Sequence, residues 1–149
     1  MLIREVELNE TIVSELIACS EDWEKENSCY GYRKNTLKDI EGNRVFLAME
    51  GEQIVGYLFG QKKKTEEKSS SYQSEEEYFE IEELYIKPEF RSRGIGGNLF
   101  QYVEEQLKKE VNLIMLGTAT KNFRAILHFY IEEMGMNFWS ARLFKRICM

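Results

Sequence analysis

Between residues 2 and 8 the chain sets Leu2, Arg4, Val6 and Leu8 against Ile3, Glu5 and Glu7, a period-two pattern that suits a first strand over Leu2–Leu8. The period then lengthens. Ile12, Val13, Leu16 and Ile17 recur at helical spacing behind Asn9 or Thr11, either of which can cap a helix. From Ser20 to Gly42 charges mix with Trp23, Tyr30 and Tyr32. This stretch predicts a second helix or two short ones, with Thr36–Glu41 helical and Gly42 ending it. Its aromatics either cover the core edge or line the mouth of a binding site.

Arg44–Glu50 and Gln53–Gln61 form the clearest hairpin, joined by Gly51-Glu52. Gly56 and Gly60 inside its second strand predict a bulge or a close backbone contact. Lys62–Glu76 is a run of lysines, serines and glutamates that buries too little apolar area to offset its ordering entropy, so a flexible charged loop is expected there. Tyr78–Ile86 is the fourth strand, ended by Pro88. Leu99, Val103 and Leu107 mark a helix over Asn98–Glu110, and the apolar run Val111–Leu116 predicts a buried central strand. Asn122–Met134 reads as a further helix, capped by Gly135. Asn137–Ile147 alternates Trp139, Ala141 and Leu143 against Phe138 and Phe144, as a last strand or a tight hairpin would. The order is β-α-α-β-β-β-α-β-α-β, an α/β chain forming a single domain over residues 1–149.

Composition narrows the partners. A net charge of −6 argues against a general nucleic-acid binder and is compatible with a cationic substrate. No apolar run reaches the ~18 residues of a transmembrane span, and Met1–Glu5 shows no signal-peptide pattern, so a cytoplasmic location is expected. Cys19, Cys29 and Cys148 are odd in number and widely spaced, which suits free thiols. With His128 as the one histidine, neither a zinc cluster nor a Ser-His-Asp triad is expected.

The candidate chemistry centres on Arg91-Ser92-Arg93-Gly94-Ile95-Gly96-Gly97, between a strand and a helix. Glycines there let the backbone approach a ligand, and a helix start offers unpaired N–H groups at the positive end of its dipole, which together make an anion site. The dinucleotide fingerprint fails at Leu99, and no Gly-Lys pair exists for a Walker loop. What remains is R-x-x-G-x-G.

Leu84–Gly96 resembles the acetyl-CoA-binding segment of the GNAT superfamily of N-acetyltransferases. Asn122, Ala125, Tyr130 and Gly135-Met136 resemble that family's second signature, with one residue more between Ala125 and Tyr130 than in many members. The resemblance implies the GNAT fold: a central, mostly antiparallel mixed sheet, splayed between strands four and five and flanked by about four helices. It also implies acetyl-CoA as co-substrate and direct attack of an amine on the thioester. Pyrophosphate would rest on the amides of Arg93–Gly97, helped by Arg91 and Arg93. The pantetheine arm would pair with Leu84 and Ile86, and Asn122 would contact the arm or order the loop. Tyr130 would protonate the leaving sulfur. A backbone N–H near Leu84 or Tyr85 would serve the oxyanion. Glu82-Glu83-Leu84-Tyr85 and Leu143–Ile147 further resemble acetyltransferases of polyamines and other small amines.

An alkyl ammonium has a pKa of about 10, so a carboxylate must take its proton. Glu82 and Glu83 are the candidates, with Glu80 as a further one. Neighbours on a strand face opposite ways, so only one of Glu82 and Glu83 can face the substrate unless a bulge intervenes. The favoured reading is acetylation of a small primary amine. The alternatives are a protein or peptide N-acetyltransferase and a non-catalytic acyl-CoA-binding module. Open sheet edges and the apolar C-terminal strand leave room for a homodimer.

Overall fold

The computed structural model describes residues 1–65 and 76–148. Five strands form one sheet in the order β1-β2-β3-β4-β5: β1 Leu2–Val6, β2 Arg44–Glu50, β3 Gln53–Lys64, β4 Glu77–Ile86 and β5 Leu113–Met115. The pairings β1/β2, β2/β3 and β3/β4 are antiparallel and β4/β5 is parallel. Alternation in β2 explains how one sheet holds two cores. Val45 and Leu47 face α1 (Glu10–Glu26) and α2 (Leu37–Ile40), in a cluster with Leu16, Cys19 and Ile40. Phe46 and Ala48 face α3 (Ile95–Leu107), in a cluster with Leu99, Phe100, Val103 and Leu107.

Asn9 caps α1 by accepting from the Ile12 amide at 2.8 Å. The helix runs unbroken to Glu26 and stops at Asn27, in the left-handed region with φ 52°. The expected break at Ser20 does not occur, because Leu16, Cys19, Ser20 and Trp23 continue the buried stripe at helical spacing. The glycine turn opens α3 directly, with Gly94 at its N-cap (φ 78°), so this helix starts earlier than Asn98.

Three sequence expectations are corrected. Lys62–Lys64 are strand, paired with Phe79, Tyr78 and Glu77, because the β3/β4 ladder holds them; the rest of the expected 62–76 loop, apart from Thr65 and Glu76, lies outside the described residues. Val111–Leu116 is not a buried central strand. Among the described residues only Leu113–Met115 pair, half-buried, at the sheet edge. Residues 137–148 form no strand, although their alternation suits one, because alternation makes a strand only where a neighbouring edge accepts its hydrogen bonds.

Candidate active site

The site starts from a flaw in the β3/β4 ladder. Phe59 pairs with Glu83 and Gly60 with Ile81, so Glu82 is an extra residue in β4. Such a bulge resets the alternation. Phe79 and Ile81, before it, pack on the α3 face. After it, Leu84 and Ile86 take that face, while Glu83 and Tyr85 turn toward α1. Gly60 is what permits the close approach: a Cβ there would collide with the Glu80 carbonyl oxygen and come within 2.9 Å of the Phe79 ring.

Turned to the α1 face, Glu83 meets three neutral donors. Its Oε1 accepts from the Tyr57 hydroxyl at 2.8 Å, the Asn35 amide nitrogen at 2.9 Å and the Tyr32 hydroxyl at 3.1 Å. Its Oε2 lies 3.2 Å from the same Tyr32 hydroxyl, whose single proton the two oxygens share, so Oε2 keeps acceptor capacity. Burial raises the Glu83 pKa above the ordinary carboxylate value, and the three hydrogen bonds offset only part of that rise. Burial, reinforced by the neighbouring Glu83 charge, likewise raises the pKa values of Tyr32 and Tyr57, so both remain donors.

Glu82 stands differently. It is exposed, and its Oε1 lies 3.6 Å from Lys63 Nζ, which also sits 3.6 Å from Glu80. The bulge nevertheless brings Glu82 and Glu83 to one cleft of about 310 Å³, lined with Asn35, Asp39, Asn43, Phe59 and Gln61. Three carboxylates converge there, a field suited to a cation. Beside the cleft Trp23 stacks on Tyr32 at 4.3 Å and on Tyr85 at 5.1 Å.

The second half of the site follows Glu83 directly along β4. The β4/β5 register covers only Tyr78–Glu80 against Leu113–Met115. Beyond it Leu84, Tyr85 and Ile86 pair with β3 but with no strand on the β5 side among the described residues. This opening is the expected splay. Ser92 (φ 64°) and Gly94 (φ 78°) then turn the chain into α3. A Cβ on Gly94 would meet nothing within 4 Å, so its backbone is open to a ligand. Gly96 and Gly97 serve packing, since Cβ atoms there would lie 3.7 Å from Phe129 and 3.2 Å from Met134. Ile95 is buried and offers only its amide.

The two arginines are not equivalent to free phosphate ligands. Arg91 donates to both Glu26 carboxylate oxygens at 2.6 and 3.0 Å and through Nε to the Ile86 carbonyl at 2.8 Å. Its guanidinium lies 5.3 Å from the Tyr85 ring centroid, and the Tyr85 hydroxyl also donates to Glu26 at 2.8 Å. Burial opposes ionisation of Glu26, but the bonds from Arg91 and Tyr85 outweigh it and its pKa is lowered. Arg91 therefore ties the end of α1 to the end of β4. Arg93 lies over Phe90 at 5.2 Å.

The extra residue between Ala125 and Tyr130 has a structural counterpart. Helix α4 (Phe123–Leu127) passes into a π turn over His128–Glu133, in which the Met134 amide donates to the Phe129 carbonyl at 2.9 Å. A π turn is how a helix absorbs one added residue. Tyr130 packs on the α3-face cluster, 6.2 Å from Phe100, and burial pushes its hydroxyl pKa up to about 12. Asn122 is exposed at the start of α4, its amide donating to Thr120 Oγ1 at 3.1 Å.

Sequence reasoning missed Tyr57, Asn35 and Glu26. Tyr57 left one signal: a fully buried tyrosine inside an apolar strand needs a partner for its hydroxyl. Asn35 and Glu26 left none, because their partners lie 48 and 65 residues away.

Residues 10–136 match the model of the acetyltransferase (GNAT) family. The chain belongs to the GNAT family. It is an acetyl-CoA-dependent N-acetyltransferase by that membership. Solved GNAT-like structures agree in fold. An aminoglycoside N-acetyltransferase, AAC(6')-Iy, in complex with CoA shares 16% identity at a TM-score of 0.66, with 99% of each chain covered. An aminoglycoside acetyltransferase from an uncultured soil metagenomic sample shares 17% at 0.68, covering 98% of this chain and 97% of that one. A ribosomal-protein-alanine N-acetyltransferase from Brucella melitensis shares 12% at 0.69, covering 98% and 100%. Comparison with curated protein sequences gives no match. The donor fits the residues present: among the described residues, the open strand edge at Leu84–Ile86 and the free space beside Gly94 at the start of α3 suit an extended arm and a pyrophosphate. Among the described residues no helix is long and apolar enough to cross a membrane.

Proposed function

We propose that this GNAT enzyme acetylates a primary amine of a small cationic molecule by direct attack, with Glu83 as proton acceptor. The observation that carries the reading is the Glu83 carboxylate, half-buried, gripped on one oxygen and facing a cleft shared with Glu82 and Asp39. The ammonium gives its proton to Glu83 Oε2. The amine nitrogen bonds to the acetyl carbon, the carbon–sulfur bond breaks as Tyr130 protonates the departing sulfur, the nitrogen's second proton passes back to Tyr130, and Glu83 releases the first to solvent. Acetyl-CoA supplies the activated acetyl group. The amides of Arg93–Gly97 hold its pyrophosphate, and the edge of Leu84–Ile86 holds its arm, with Asn122 ordering the loop beside it. A backbone N–H near Leu84 or Tyr85 meets the oxyanion. Arg91 supports this end of the site through Glu26 instead of binding phosphate.

The acidic cleft supports an acceptor with more than one ammonium group, a polyamine or an aminoglycoside, the second being the class that two neighbouring structures name for their own proteins. The free thiols of Cys19, Cys29 and Cys148 support a reducing, cytoplasmic setting. Turnover of acetyl-CoA against a panel of polyamines, aminoglycosides and N-terminal peptides tests the reading. Small polyamines or aminoglycosides are expected to lead by at least about tenfold in kcat/KM. Preference for the peptides, which stand in for the protein substrate in the name of the ribosomal-protein-alanine N-acetyltransferase neighbour, would replace it. CoA binding without any turnover would make the chain a binding module.

A further inference from the structure

Two of the three donors on Glu83, Tyr32 and Asn35, come from residues 32–35, which belong to no helix or strand. Such a segment has no ladder of its own to fix its backbone, so its place is set by what it bonds to. Helix α1 holds it at two points. The Lys34 amide donates to Glu24 Oε2 at 2.9 Å, in an exposed bond. The Asn35 amide donates to Ser20 Oγ at 2.8 Å, in a buried one.

Ser20 is out of character for its position. It has no accessible surface and lies on the apolar stripe with Leu16 and Cys19, where alanine would be the better helix former and would bury no hydroxyl. Its hydroxyl proton goes to the Ile17 carbonyl at 2.7 Å, which leaves the oxygen lone pairs for Asn35. Asn35 is itself buried, 7% exposed, so water does not substitute for that bond. Its backbone N–H is thus pinned to α1 while its side-chain nitrogen donates to Glu83 Oε1 at 2.9 Å. A continuous chain of two bonds runs from a helix to the proton acceptor. Tyr32 is placed separately, by its stack on Trp23.

We propose that Ser20 is a positioning residue for Glu83: it fixes the Asn35 backbone, so that Asn35 holds Oε1 and leaves Oε2 to the amine. The inference rests on the reading of Glu83 as proton acceptor. Glu83 also faces Tyr57 from β3, Tyr32, and Asp39 from α2, whose charge opposes its ionisation. Glu82 shares its cleft, and Cys19 of α1 packs in the cluster that holds Tyr57. None of these bonds to Ser20 in the chain above. The Asn35 bond favours ionised Glu83, so loosening it moves the titration of Glu83 to higher pH.

Carbon-13 NMR titration of the Glu83 carboxyl, assigned with Glu83→Gln, is read beside the pH dependence of kcat on the full chain. Ser20→Ala and the nearly isosteric Ser20→Cys, a poor acceptor, should move the Glu83 titration and the acid limb of kcat to higher pH. Plateau kcat should fall about threefold or more, with the KM for acetyl-CoA within about twofold of wild type. Ser20→Thr keeps a hydroxyl that bonds back along the helix. Its extra methyl should lower Tm, yet titration and limb should stay at their wild-type positions. Glu24→Gln, at the exposed tie, should also leave both in place. In an Asn35→Ala background, adding Ser20→Ala should shift neither any further. An unmoved Glu83 titration in folded Ser20→Cys would overturn the proposal. So would a shift that Ser20→Thr shares with Ser20→Ala, or a further shift in the Asn35→Ala background. A titration that moves while the limb of kcat stays would leave the role of Ser20 standing and overturn instead the reading of Glu83 as the base.

Discussion

The two halves of β4 differ in everything but sequence proximity. Up to Ile81 the strand is held on both edges at Tyr78–Glu80, and its apolar residues pack against α3. From Glu83 on it is held on one edge only, and Glu83 and Tyr85 have crossed to the α1 face. One inserted residue, Glu82, separates a structural half from a half built for ligands. The lesson is that a bulge can re-aim a carboxylate without altering the fold around it.

The comparison breaks most sharply at Glu83. Glu83→Gln should lower kcat at least about a hundredfold, as expected for loss of a general base, whereas Glu82→Gln should cost no more than about threefold. Steady-state kinetics with the best amine of the panel checks both. Tyr130→Phe comes next, with a fall of about tenfold or more in kcat and little change in the KM for acetyl-CoA. Gly60→Ala tests the bulge itself. Its Cβ has no room beside Glu80, so urea unfolding should show a loss of about 1–3 kcal/mol, and activity should fall with it as Glu83 is re-aimed.

Smaller effects sharpen the picture. Tyr57→Phe removes one donor from Glu83, leaving a buried acceptor short by one bond at a cost of about 1–3 kcal/mol. The lost bond favoured the ionised carboxylate, so the Glu83 pKa rises further and the acid limb of kcat moves to higher pH. Lys63→Met should change stability by less than about 1 kcal/mol, since its ion pairs to Glu80 and Glu82 are at the surface.

The period-two and helical patterns carried β1 to β4, α1 and α3, because each buries one face against a core and must repeat accordingly. The strand-to-helix turn at Gly94 was legible for the same reason. Gly60 pointed to a bulge, but nothing local said that its extra residue is Glu82, because register belongs to the pair of strands and not to either one. The grip on Glu83 was illegible too: Tyr32 and Asn35 reach it from 51 and 48 residues away, out of a stretch whose own pattern is irregular. Arg91 read as a phosphate ligand, because Glu26 is brought to it only by folding. At the C-terminus alternation suggested a strand that residues 137–148 do not form, because a partner edge is not written in the alternating segment itself.

The central claim is that Glu83, and not its neighbour, holds the proton during transfer. Its most direct test is the pH dependence of kcat for wild type, Glu82→Gln and Glu83→Gln. A base works ionised, so activity must fall as pH drops through its pKa. With that pKa raised by burial, the acid limb should stand above the ordinary carboxylate value of about 4.3. The limb should persist in Glu82→Gln and vanish from the residual activity of Glu83→Gln. A limb that survives Glu83→Gln and disappears with Glu82→Gln would contradict the account.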